Sequence, residues 1–425
     1  MTDIRSVRAA APILIGAAVM LSVAMGVRQS LGLVMPPLTR DIAISVSEFT
    51  LALSVQNLAW GALQPLVGAL VGRVGFRPVM LTGALLYCTG LLLLAAARGL
   101  LAVMIGGGLL IGVALACTAS AIAMAVASRA VPATARSLVL GFITGAGSLG
   151  ALVSAPIGQA LSGAFGWRAE VLGFFVLALA MLPAAWTAGM VDKIVLPRQS
   201  ADPSETSAKA ALCTAMTTAP FLVMTGAYFV CGMQLLFITT HLPTYLAICG
   251  MDPMVGAEAL GVIGCSNVLG SIFFGWAGGR WSKPALLGVI YTLRSLGLCA
   301  YFIMPPTQFS TLVFAGVMGF LWLGVGPLIA GSIVEMFGLR WQAMIQGIAF
   351  MSHQLGSFLG VLGGGLLFDA LGSYDLAWRL IVGMGLTAGL VQLAFALARP
   401  WRRQADDAIM STMPGAIGAS AKGAG

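Results

Sequence analysis

The chain has 425 residues, 59% of them hydrophobic and only 8% charged, against about 25% charged in an ordinary soluble domain. With a mean hydropathy of +0.99, so few charges cannot cover a water-facing surface of this size, which excludes a soluble enzyme. The 22 Lys and Arg against 14 Asp and Glu leave a formal charge of +8. Topology has to be tested as its cause before any nucleic-acid partner is considered.

The start, MTDIRSVRAAAPILIG, has the basic flank and apolar run of a signal peptide. Apolar span then follows apolar span, so it is read as a first transmembrane helix that stays. Runs long enough to cross a bilayer fall at about 11–36, 48–70, 78–97, 100–127, 137–163 and 168–189, then at 219–246, 256–278, 284–304, 309–334, 342–367 and 376–398. Backbone polar groups cannot stay unpaired in lipid, and the alternation of a barrel is absent, so these spans are helices. The expected fold is an all-α membrane protein of twelve transmembrane helices in two pseudo-symmetric six-helix bundles. One long polar stretch, from Asp192 to Thr218, bisects the chain and has the composition of a loosely ordered connector. The expected organisation is a first bundle over 1–190, a cytoplasmic linker over 191–218, a second bundle over 219–398 and a cytoplasmic tail over 399–425. The seven cysteines are odd in number and contain no CxxC, so neither a disulfide framework nor a zinc site is expected, and no cofactor.

Placing the N-terminus in the cytoplasm and alternating across twelve spans puts sixteen of the 22 basic residues in cytoplasmic segments. Four, Arg40, Arg98, Arg168 and Arg379, fall outside, and Arg28 and Arg294 lie within spans. That bias supports a multi-pass protein of the cell (inner) membrane with both termini cytoplasmic. The basic excess is topological and needs no nucleic acid.

The halves match at an offset of 207 residues: Gly68, Gly72 and Arg73 of GALVGR correspond to Gly275, Gly279 and Arg280 of GWAGGR. The same offset places Pro36 on Pro243 and Gly90 on Gly297. A lone GxxxG is ordinary helix-packing chemistry. Two copies of GxxxGR, each closing the second span of its half before a basic turn, trace two homologous halves, with a substrate site expected between them.

On this 6+6 layout and these paired turns, the chain resembles the major facilitator superfamily over essentially its whole length. The segment from Gly68 to Arg77 is similar to that superfamily's loop between helices 2 and 3. The acidic residue before the arginine is replaced by Gly72, and by Gly279 in the second copy, so its salt bridges do not carry over; Arg73 and Arg280 remain as gating candidates. The motifs GVRQSLGLVMPPLTRDI in span 1, Gly166-Trp167-Arg168 opening span 6, CGMQLLFITTHLP in span 7 and SHQLGSFLG in span 11 resemble the bacterial monocarboxylate-transporter-like branch. That branch's arginine on helix 8, with an aspartate one turn before it, is missing: Asn267 and Ser271 stand roughly there. The familiar lactate and proton mechanism is therefore not carried over whole.

Within the spans no Asp or Glu occupies a central position, while Arg28, Arg294 and His353 are embedded. A charge at the bilayer centre costs at least about 2.5–3.5 kcal/mol, so each is a functional candidate. Fixed positive charge without an internal carboxylate calls for an anion. Arg28 is the candidate anchor, able to grip a carboxylate through two parallel hydrogen bonds; its competing role is to snorkel to the outer headgroups. The resemblance places it at the position of a helix 1 lysine implicated in substrate and proton coupling. Arg294 is too deep to snorkel and is either a structural tie or a coupling residue. His353 is a second ligand or proton-linked group, or a histidine bonded across to another helix. His241 is expected at the interface or in a gate. Gln56, Asn57, Tyr228, Gln234, Asn267 and Gln354 supply uncharged hydrogen-bond groups, for selectivity or as glue between helices, and Trp322 either walls the site or packs the core.

No GxxxxGK[ST] motif is present, so transport energy is expected from a gradient rather than from ATP. The expectation is a monomeric secondary transporter, not an enzyme. It moves a small organic anion, a monocarboxylate, by alternating access, with protons as the default coupling ion. The alternative is an exporter of amphipathic or drug-like compounds.

Overall fold

In the computed structural model, residues 8–194 and 207–398 are described. They form twelve long helices: α1 (Ala11–Asp41), α2 (Val46–Val74), α3 (Phe76–Ala95), α4 (Leu100–Ala130), α5 (Ala133–Phe165), α6 (Trp167–Lys193), α7 (Ala219–Ile248), α8 (Pro253–Ala277), α9 (Lys283–Ile303), α10 (Gln308–Phe337), α11 (Gln342–Leu371) and α12 (Asp375–Ala398). Among the described residues, nine helices are long and apolar enough to cross a membrane. Outside that set stand α8, of which Gly261–Ala277 forms a shorter apolar helix, and the pair α2 and α11, which carry Gln56, Asn57 and Gln64, and Gln346, His353 and Gln354. Their lower apolarity matches their place, because these two helices pack on each other between the halves.

Most spans end within a few residues of the expected bounds, and two local features differ. The first helix continues through Pro36 and Pro37 to Asp41. Proline's fixed φ suits a helix, and side chains serve the local carbonyls: Thr39 Oγ1 donates to Met35 O at 2.9 Å and Arg40 Nε to Pro36 O at 2.9 Å. In α4, Met104–Leu110 winds as a π-helix, and Gln56 Nε2 donates to Gly107 O at 2.7 Å. The expected connector is partly ordered. Asp192 accepts from the Phe76 and Arg77 amides at 2.8 and 2.9 Å, capping α3. A short helix, Ala208–Thr217, buries Ala211 and Ala215 against the second half. Residues 195–206 of that connector, and the tail from 399, lie outside the described residues.

The repeat appears in packing as well as in sequence. Helix α1 crosses α5, where a Cβ on Gly150 would meet Ser22 O at 1.9 Å; its counterpart α7 crosses α11, where a Cβ on Gly356 would meet Phe229 O at 1.9 Å. The first glycine of each GxxxGR copy marks where the halves touch. A Cβ on Gly68 would lie 2.4 Å from the Met344 nitrogen on α11, and one on Gly275 would lie 2.6 Å from the Gly141 Cα on α5.

The Gly68 and Gly275 contacts belong to one end of the molecule, the end carrying Arg73, Arg77, Arg129, Arg136, Arg280 and Arg340, called here the basic end. There Gln342 Nε2 donates to Ser128 Oγ at 3.0 Å, and Arg129 Nη2 donates to Arg340 O at 3.1 Å. Trp341 packs on Gly72, where a Cβ would sit 2.5 Å from its ring. A larger side chain at Gly72 has no room unless Trp341 moves. Toward the other end, Gly32 of α1 and Gly261 and Gly264 of α8 face open space, with nothing within 4 Å of a Cβ. The halves close at the basic end and part at the other.

Gly68→Val is expected to hold the basic end apart. A thiol at Ala343→Cys, otherwise buried, is expected to label faster with a maleimide when Gly68→Val is present, in a background without the native cysteines. Unchanged labelling would show that this crossing does not hold the closed end.

Candidate functional site

Arg28 lies midway along α1 and is half-buried. Its guanidinium turns inward rather than toward a headgroup region: Nη2 donates to Asn57 Oδ1 of α2 at 2.5 Å, and the guanidinium carbon sits 5.1 Å from the Trp60 ring centroid. Gly32, one turn along on the same helix face, opens to the parted end. Trp60 is held by its own indole, Nε1 donating to Gln64 Oε1 at 2.9 Å, while Gln64 Nε2 donates to Ala116 O of α4 at 2.9 Å. The platform under Arg28 is thus anchored two helices deep.

From the other half, Gln354 Nε2 of α11 reaches Asn57 O at 3.4 Å. His353 is 7% exposed, with Nδ1 3.4 Å from Gln354 Oε1 and 3.5 Å from Ser357 Oγ. Rings continue from Trp60 across the junction: Trp60 to Phe350 at 4.5 Å, Phe350 to His353 at 5.9 Å and nearly parallel, His353 to Tyr228 of α7 at 4.5 Å. Arg28, Asn57, Tyr228, His353 and Gln354 therefore form one cluster where the halves meet. Sequence reasoning missed Trp60 and Phe350. The signal available for them was spacing: Trp60 follows Asn57 by three residues and Phe350 precedes His353 by three, which puts each pair on one helix face.

The remaining candidates lie elsewhere. Gln56 turns to the π-helical turn of α4. Asn267 Oδ1 accepts from the Leu323 amide at 3.2 Å, where α10 breaks between Gln308–Trp322 and Val325–Phe337. Ser271 Oγ donates to Asn267 O at 2.7 Å. Arg294 is fully buried, its Nε donating to Gln234 Oε1 at 3.1 Å and its Nη1 lying 3.4 Å from Cys231 Sγ. Gln234 Nε2 in turn donates to Ser295 Oγ at 3.0 Å and Ile381 O at 3.1 Å. This second cluster ties α7, α9 and α12. Arg73 and Arg280 are exposed at the basic end, Arg280 over the Trp276 ring at 4.9 Å. His241 is buried rather than interfacial, with Nδ1 3.1 Å from Tyr374 Oη and Nε2 3.1 Å from Val361 O. Trp322 belongs to the core of the second half. A separate groove of about 590 Å³ runs between α7 and α12, lined by apolar residues with Arg379 and Thr387, and shares no residue with the Arg28 cluster.

Among the described residues two ion pairs occur, Arg168 with Asp41 and Lys283 with Glu335. Both lie at helix ends. No carboxylate neutralises Arg28, whose neighbours are an amide and the face of an indole. A cation so placed binds an anion through its remaining N–H groups, while the rings beside it accept apolar atoms.

The chain matches the Major Facilitator Superfamily over residues 17–361, and it belongs to that family: it is a multi-pass membrane transporter. It is 26% identical over 387 residues to monocarboxylate transporter 11 of Mus musculus, covering 88% of this chain and 85% of that protein. It is 28% identical over 330 residues to monocarboxylate transporter 13 of Rattus norvegicus, covering 76% and 74%. The MFS-type transporter YcxA of Bacillus subtilis (strain 168) is 26% identical over 378 residues, covering 87% and 91%. Among solved structures, a fucose:proton symporter of E. coli matches with a TM-score of 0.68 at 16% identity, covering 90% of this chain and 98% of its own. At that identity the likeness concerns the fold.

Arg294→Met is expected to destabilise the protein, because it leaves the buried Gln234 Oε1 without its donor. Such a loss costs about 1–3 kcal/mol, and thermal unfolding in detergent is expected to show a lower midpoint. An unchanged midpoint would remove the structural tie assigned to Arg294.

Proposed function

We propose that this transporter carries a small monocarboxylate across the cell (inner) membrane by alternating access, with Arg28 as the anion anchor. The observation that supports this most is the Arg28 guanidinium, half-buried where the halves meet, bonded to neutral Asn57 and unmatched by any carboxylate among the described residues. The names of its relatives agree with an organic-anion cargo. The basic end is taken as cytoplasmic from the charge bias, so the closed end faces the cell interior and the parted end faces outward. Asn57 and Gln354, bonded across the junction, give uncharged recognition, and His353 is the proton-linked group of a symport. The linker over 191–218 joins the two moving halves, and Arg73 and Arg280 flank the gate.

Arg28→Ala is expected to weaken carboxylate binding by about 1.5–3 kcal/mol, roughly 10- to 150-fold in Kd, the scale of a lost charge-assisted hydrogen bond. Arg28→Lys keeps the charge without the planar fork, so an intermediate loss is expected. Proteoliposome uptake measures both. Intact carboxylate uptake by Arg28→Ala, together with expulsion of cationic dyes, would replace this reading with the exporter.

His353→Gln is expected to weaken accumulation driven by a pH gradient more than counterflow exchange, which needs no net proton movement. Equal loss of both would mark His353 as a binding or packing residue.

A further inference from the structure

Resting on the reading that Arg28 holds a carboxylate, we infer that the cargo is an aromatic carboxylate, its ring seated on the aromatic run from Trp60 to Tyr228. The groups nearest the anchor divide unequally between the halves. Arg28, Asn57 and Trp60 all belong to the first half, and they provide the charge, one amide and one ring face. The second half brings Phe350, His353 and Tyr228, with Gln354 already bonded to Asn57 O. Alternating access requires cargo that both halves grip, since only a differential contact shifts their equilibrium. A two- or three-carbon acid on Arg28 lies near Asn57 and Gln354 and carries no ring to meet those of α11 and α7. A planar ring attached to the carboxylate reaches them.

The rings are placed for this rather than merely packed. Trp60 to Phe350 at 4.5 Å and His353 to Tyr228 at 4.5 Å are tilted by 44° and 47°, and Phe350 lies within 9° of parallel to His353. Phe350 and Tyr228 are half-buried, so each keeps part of its ring accessible. Aromatic pairs favour offset and tilted faces, so a cargo ring would meet the accessible parts of Phe350 and Tyr228 in that geometry. Trp60 is fixed by Gln64 and His353 by Gln354 and Ser357, so the faces are ordered before cargo arrives.

The test compares phenylacetate and benzoate with lactate and acetate, all radiolabelled, in proteoliposome uptake by the unmodified protein and by Phe350→Leu. The aromatic acids are expected to half-saturate at concentrations at least about tenfold lower than the aliphatic ones. Phe350→Leu is expected to raise the constants for the aromatic acids severalfold more than those for lactate and acetate, narrowing the ratio. Equal constants for all four in the unmodified protein overturn the inference and leave the monocarboxylate reading standing. An unchanged ratio in a folded Phe350→Leu also overturns it, and if that variant does not fold, the unmodified protein's ratio decides alone. Uptake of none of the four overturns both readings.

Discussion

A guanidinium held at mid-membrane depth without a carboxylate beside it is the constraint around which the first half is arranged. An acid at that depth would neutralise Arg28 permanently and leave a visiting anion nothing to gain. The structure instead gives it neutral Asn57 and the face of Trp60, and then secures those two: Trp60 through Gln64 to the backbone of α4, Asn57 through Gln354 to the other half. The second arginine within the spans has a different fate. Arg294 is wholly enclosed, with Nε and Nη1 committed to Gln234 and Cys231, and it holds α7, α9 and α12 together. The two guanidiniums thus differ in setting: Arg28 is half-buried between an amide and an indole face, and Arg294 is enclosed among three helices.

The helices and the repeat were legible because both are written in composition and period, which lipid enforces on every span. Ends were less so. Helix α1 runs on through Pro36 and Pro37 to Asp41, and the π-helical turn of α4 is bonded by a side chain from α2. Part of the candidate site was legible too, since a polar residue in an apolar run announces itself. Its direction does not. Gln56, Gln234 and Asn267 carry the same signal as Asn57 and Gln354, yet the first meets a carbonyl in α4, the second Arg294, and the third the broken α10. Trp60 and Phe350 carried no signal by type, because an aromatic residue in an apolar span reads as core until its neighbours are known.

The paired GxxxGR motifs are symmetric in sequence and unequal in use. Gly68 and Gly275 are both crossings between halves, but only Gly72 lies under a tryptophan; the space beside Gly279 is bordered by Ser137 and the Trp276 carbonyl. The closed end is held by the contact of Trp341 on Gly72 and by Arg129 on backbone carbonyls, with Glu335 of the second half attracting Arg136 of the first. Helix α11 runs from the Trp341 contact to the central cluster. Trp341 precedes its first turn, while Phe350 and His353 stand nine and twelve residues further on, about 14–18 Å at 1.5 Å per residue. A continuous helix of this length moves as one body. The central cluster and the Trp341 contact therefore sit on one element, and under the proposed function cargo at Phe350 and His353 acts on that contact through α11.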